Sequence, residues 1–140
     1  AAATPAGLAF GSRGLGAVHA LAYPLGTAHP MTHGRTNAIL LPHVMRFNLA
    51  GAASKYGRMA ALMGKDIAGL SPMAAAGQAV EAVKELLGAI GVSSRMSDYG
   101  MPREDLPKLV EGAMKQARLF VPNPRDLGEE DVRGIYEEAY

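Results

Sequence analysis

The chain has no cysteine and no tryptophan, and its first 65 residues contain no aspartate or glutamate, the first carboxylate being Asp66. Without cysteine there is no disulfide framework and no thiolate metal site, so any bound metal must use His, Asp or Glu. A reducing, cytoplasmic location is compatible with that usage and is the expectation. No apolar run approaches the roughly 20 residues needed to span a bilayer. The start, Ala1-Ala-Ala-Thr-Pro5, lacks the basic region of a signal peptide. Charge of one sign is also missing: 14 basic and 13 acidic residues give a formal net charge of +1, which favours neither nucleic acid nor an anionic membrane as partner. Finally, no stretch alternates apolar and polar residues with β-branched enrichment, so no sheet is expected.

What remains is 140 residues, 49% of them hydrophobic, enough for one compact domain over residues 1–140. The absence of an initiator Met is explained equally by its removal before Ala1 and by a chain cut from something longer. The carboxylate-free first half reads as a segment packed centrally or against other protein. The second half reads as an ordinary solvated surface.

Helical spacing is clearest from Met73 onward, where Met73, Ala76, Val80, Val83, Leu87 and Ile90 recur at intervals of three and four. Ser71-Pro72 supplies a cap and a first-turn proline, and Gly91 an end. A second amphipathic stretch uses Leu106, Leu109, Val110, Ala113, Met114 and Ala117, with Pro107 in its first turn. After Pro122-Asn-Pro124, Asp126 and Glu129 resemble a capping box for a last helix burying Val132, Ile135, Tyr136 and Ala139. In the first half, residues 14–25, 34–48 and 52–63 read as helices. The first two are joined through Pro24, Gly26 and Pro30, and Pro42 is expected to kink the second. The glycine-rich stretch 11–16 has no preceding strand and reads as a helix junction rather than a phosphate loop. The fold class is therefore all-α, an orthogonal bundle of about six to eight helices.

All four histidines, His19, His29, His33 and His43, lie in the carboxylate-free half. Neutral imidazole is the commonest side-chain metal ligand, although a lone His in an apolar helix is more often simply hydrogen-bonded. His29 and His33 share the four-residue spacing of a zinc-binding helix, but Pro30 and the lack of a following Glu argue against that motif. His19 and His33 are fourteen residues apart on two segments joined by a Pro and Gly turn, so antiparallel helices would bring them together. A catalytic metal takes three or more protein ligands, so such a site needs a third His or groups from outside this half.

Three motifs now converge: Gly14-Leu-Gly-Ala-Val-His19-Ala-Leu-Ala-Tyr23-Pro-Leu-Gly26, then His33-Gly34, then Asn37-Ala-Ile-Leu-Leu-Pro42-His-Val-Met-Arg-Phe-Asn48. Together they resemble the C-terminal signature of the iron-containing (group III) alcohol dehydrogenases. The likeness continues through residues 96–100 and through Asn123-Pro-Arg125 to the terminal Ala139-Tyr140, so it covers essentially the whole chain.

The resemblance implies the helical C-terminal domain of a dehydroquinate-synthase-like fold, here a fragment of a longer two-domain enzyme. It implies a divalent metal, iron(II) expected and zinc acceptable, held by an Asp and three His. Two of those His map onto His19 and His33, and the other two ligands would precede Ala1. NAD or NADP would be bound mainly by an absent N-terminal domain, and the substrate would be a small alcohol or aldehyde in a homo-oligomeric enzyme. Tyr23 stands where many members carry a His beside nicotinamide and substrate. A phenol with a pKa near roughly 10 is no free substitute for that imidazole as a proton relay, so Tyr23 is a catalytic and cofactor-contacting candidate or a pocket-lining residue. His29, in the loop between the matched ligands, is a substrate-pocket candidate, and His43 reads as structural. Two rival readings are a catalytically inactive helical packing and association module, and a glycerol-dehydrogenase-like zinc enzyme. The 140-residue chain by itself is expected not to oxidise an alcohol with NAD; measurable turnover by the purified chain would contradict this.

Overall fold

The computed structural model describes residues 16–140. Among these are five α-helices and no strand: α1 (Ala17–Ala28), α2 (His33–Leu62), α3 (Pro72–Ala89), α4 (Leu106–Met114) and α5 (Glu129–Ala139). Short 3-10 turns occupy Met96–Tyr99, Arg103–Asp105 and Ala117–Phe120. No described helix is long and apolar enough to cross a membrane. The expectation for residues 11–15 lies outside the described residues.

The helix α2 is the spine. Its first half joins α1, α4 and α5 in a core built on Leu21, Leu25, Ile39, Leu40, Val44, Leu109, Val110, Val132 and Tyr136. Its second half packs on α3 around Met45, Ala60, Ala79, Val80, Val83 and Leu87. The described part of the apolar first half thus supplies the centre of the bundle. Each of these large side chains contributes roughly 1.5–3 kcal/mol by leaving water. An exposed pair such as Arg133–Glu129, 2.9 Å apart one turn along α5, adds only about 0.3–0.5 kcal/mol. Burial, not surface charge, holds the bundle together.

Local signals decide the helix ends. The Ser71 hydroxyl accepts the Ala74 N–H at 3.2 Å with Pro72 beside it at the helix start. Gly91 closes α3 in the left-handed region at φ 71°, where an L side chain would be strained. Several expectations need correction. Helix α1 runs through Pro24 to Ala28 instead of stopping near residue 25. Helix α2, residues 33 to 62, is kinked at Ala52 (φ −142°, ψ 21°), where the expected 34–48 and 52–63 helices divide, and not at Pro42. The cap of α5 is Gly128, whose N–H donates to Asp131 Oδ2 at 2.9 Å, so Asp126 and Glu129 play no capping part. Met73 and Ile90, placed by periodicity on the buried stripe, are 48% and 64% exposed at the two ends of α3.

Long-range contacts account for the first two corrections. Pro24 removes one backbone donor from α1, but its ring packs against α4 at Gly112, where an added Cβ would stand 2.6 Å from Pro24 Cβ. One turn earlier, the Leu21 carbonyl accepts the buried Tyr136 hydroxyl at 2.6 Å, and burial raises that phenol's pKa far above its ordinary value. Likewise Gly51, beside the irregular Ala52, lets the 122–125 turn sit on α2: a Cβ there would meet the Pro124 carbonyl oxygen at 2.6 Å. The turn is held by reciprocal 2.8 Å amide bonds between Asn48 and Asn123 and by Arg125, which donates to the Phe47 carbonyl and stacks on its ring at 4.1 Å.

Gly112→Ala should therefore overpack the α1–α4 contact and cost about 1–3 kcal/mol, read as a lowered thermal midpoint by circular dichroism. Tyr136→Phe should cost about 0.5–1.5 kcal/mol in urea unfolding; an unchanged midpoint would show that the Leu21 carbonyl does not depend on the phenol.

Candidate functional site

Helix α1 presents His19 and, one turn later, Tyr23 on one face, because residues four apart on a helix lie above one another. Helix α2 begins at His33 after Thr32. Packing of the two helices brings the three rings together: His19 and His33 have centroids 5.2 Å apart with planes tilted by 48°, and Tyr23 and His33 are 5.8 Å apart. His19 is half-buried, whereas His33 and Tyr23 are exposed. Burial, and secondarily the neighbouring His33, lower the His19 pKa from its ordinary value. That keeps the imidazole neutral at pH 7, the form that binds metal.

These observations bear on whether the residues fit a divalent ion. Two imidazoles in ring contact, one of them held neutral, are a chemically suitable pair of donors. They are not a complete set: among the described residues no group of three or more His, Cys, Asp or Glu is disposed to hold a metal, and residues 1–15 contain none of these side chains. The pair offers two donors, short of the three or more protein ligands that a catalytic ion takes.

The other two histidines stand apart. His29 caps the C-terminus of α1, with its Nε2 3.2 Å from Asp105 Oδ2. The contact lacks hydrogen-bond alignment, since Nε2 makes no hydrogen bond among the described residues. His43 is buried; its Nε2 is bonded to the Ser94 carbonyl at 2.8 Å while Nδ1 faces Glu138 at 3.4 Å, a structural tie between α2, the 93–95 connector and α5.

Two hollows flank the ring cluster. One, of about 340 Å³, is lined by Tyr23, Pro24, Thr27, Leu109 and Gly112 together with Lys108, Lys115 and Gln116. The other, of about 410 Å³ and mostly apolar, is lined by Gly16, Val18, His19, Gly34, Asn37, Ala38 and Leu41. Sequence reading passed over Asn37, whose side chain reaches back to His33; the signal was its four-residue spacing from that histidine.

Residues 1–140 match the family described as Fe-containing alcohol dehydrogenase, C-terminal. The chain is 41% identical over 135 residues to a 1,3-propanediol dehydrogenase of Klebsiella pneumoniae, covering 96% of this chain and 35% of that protein. It is 40% identical, with the same coverage, to the lactaldehyde reductase of Escherichia coli K12. Among solved structures, an alcohol dehydrogenase from Oenococcus oeni superposes with a TM-score of 0.90 at 36% identity, over 96% of this chain and 35% of that one. The chain spans about a third of the length of the relatives it matches.

If the ring cluster rather than its periphery is the site, His29→Ala in a protein containing this segment should leave metal content unchanged and alter stability by less than about 1 kcal/mol. Loss of metal on that substitution, measured by elemental analysis, would move the site toward His29.

Proposed function

The chain belongs to the Fe-containing alcohol dehydrogenase family, and from that membership we propose that it is the helical part of a longer metal-dependent enzyme that transfers hydride reversibly between a small alcohol and NAD or NADP. The observation that carries this reading is the meeting of His19, His33 and Tyr23 beside a cleft. His19 and His33 supply two of the ligands of a divalent ion, iron(II) by preference, and an Asp and a further His from a segment outside this chain supply the rest. When bound, the ion acts as a Lewis acid toward the substrate oxygen.

The remaining work assigned to this chain is done by its own side chains. The neutral His19 needs no deprotonation before it can serve as a ligand. Tyr23, projecting from the same face of α1 and forming part of the 340 Å³ hollow, orients the substrate and offers its hydroxyl as a hydrogen-bond donor. The Pro24–Gly112 contact fixes the wall of that hollow. A bound nicotinamide would supply the hydride acceptor, so that an alcohol would be oxidised to aldehyde or ketone with its hydroxyl proton passing to solvent. The dinucleotide would be held mainly by a further domain of the longer enzyme.

Two rivals, a packing module whose histidines are structural and a glycerol-dehydrogenase-like zinc enzyme, are separated from this reading by direct measurement. In the full-length enzyme, His19→Ala and His33→Ala should each abolish turnover and lower bound metal. Unchanged metal in both variants would favour the packing module, and zinc as the native ion with glycerol as preferred substrate would favour the other. Tyr23→Phe should keep the metal and raise KM about tenfold, the equivalent of one hydrogen bond of roughly 1.4 kcal/mol. Kinetics identical to those of the unaltered enzyme would reduce Tyr23 to a packing residue.

A further inference from the structure

We propose that Asn37 is the positioning residue of His33: its side-chain amide sets the imidazole orientation in which a ring nitrogen can reach an ion shared with His19. The proposal rests on His33 being a metal ligand, and it goes beyond that assignment by naming what holds the ligand in place.

Three contacts define the geometry. Asn37 Nδ2 donates to the His33 carbonyl at 2.7 Å and lies 3.3 Å from His33 Nδ1 and 3.1 Å from His33 Nε2. The two ring nitrogens flank Cε1, so an atom nearly equidistant from both at this range cannot lie in the ring plane without striking Cε1. The amide must lie over the face of the imidazole, an N–H to π contact. Ring nitrogens bind metal through lone pairs in the plane, so a brace on the face restricts the ring without occupying its donor positions. Metal-ligating histidines depend on neighbours of this kind to fix their orientation.

The orientation of the amide itself is determined. Flipping Asn37 would place its oxygen against the His33 carbonyl, two acceptors in contact, so Nδ2 is assigned by the 2.7 Å bond. Its Oδ1 is then buried with no hydrogen-bond partner among the described residues. A buried acceptor left unpaired is unfavourable, and here it accompanies the two contacts that Nδ2 makes to one histidine. Thr36 Oγ1 also donates to the His33 carbonyl, at 2.9 Å, so the backbone of His33 is tied independently of Asn37. What Asn37 alone contributes is the hold on the ring.

The test uses the full-length enzyme with cobalt(II) in place of its metal, because cobalt reports both affinity, by competition with a chelator, and ligand geometry, by its visible ligand-field bands. Asn37→Ala removes both contacts. Asn37→Ser keeps a donor for the His33 carbonyl, as helical serines bond back one turn, but cannot cover the ring, and it serves as the test if the Ala variant fails to fold. Both should weaken cobalt binding by about 10–100-fold and shift the visible bands, with the helical circular dichroism of the metal-free protein unchanged. Affinity and bands equal to those of the unaltered enzyme, in either variant, would overturn the proposal. His33→Ala is the separate control: if it binds cobalt as the unaltered protein does, the metal reading of His33 fails, and Asn37 has no ligand to position.

Discussion

The hydroxyl of Tyr136 donates to the carbonyl of Leu21 deep in the core, and with the seat of Pro24 on Gly112 and the packing on α2 it fixes where α1 lies. Helix α1 is only 12 residues long and contains a proline, so its own backbone bonds are a weak guarantee of its position. Its place comes from packing on α2 and α4 and from the single Tyr136 bond reaching over from α5. Because His19 and Tyr23 ride on α1 while His33 opens α2, the distances among the three rings follow from that docking. The C-terminal helices therefore support the ring cluster without contributing any of its three rings.

The same logic explains why the second half of the chain carries so much long-range tethering. The turn at residues 122–125 is bonded to Phe47 and Asn48 and leaves no room for a side chain at Gly51. His43 ties α2 to the 93–95 connector and α5. These ties hold α2 in register with the rest of the bundle. Its first residue, His33, is exposed, and its carbonyl accepts from Thr36 and Asn37.

Features that depend on local sequence were legible before the structure. The stripe of α4 from Leu106 to Ala113, though not its expected continuation to the exposed Ala117, the Ser71 cap and Gly91 stop of α3, and the buried face of α5 each follow from spacing within one helix. The fourteen-residue separation of His19 and His33 likewise suggested a meeting of two helices, and their rings do meet. Features set by distant residues were not legible. Nothing near Pro24 says that α1 will continue past it, because the compensating contacts come from Gly112 and Tyr136. Nothing near Pro42 says that the helix will run straight through it, whereas the break at Ala52 falls where the expected 34–48 and 52–63 helices divide, beside Gly51 against Pro124. Periodicity also cannot tell the buried middle of a stripe from its ends, which is how Met73 and Ile90 come to be exposed. Asn37 went unread because an amide one turn from a histidine gains meaning only once the ring direction is known.

The central claim is that His19 and His33 share one ion in the assembled enzyme. Anomalous diffraction at the iron edge from crystals of the full-length protein tests it most directly. The account requires a single peak within about 2.0–2.3 Å of one nitrogen of each ring. A peak elsewhere, or a His33 ring turned away from the ion that His19 binds, would contradict it.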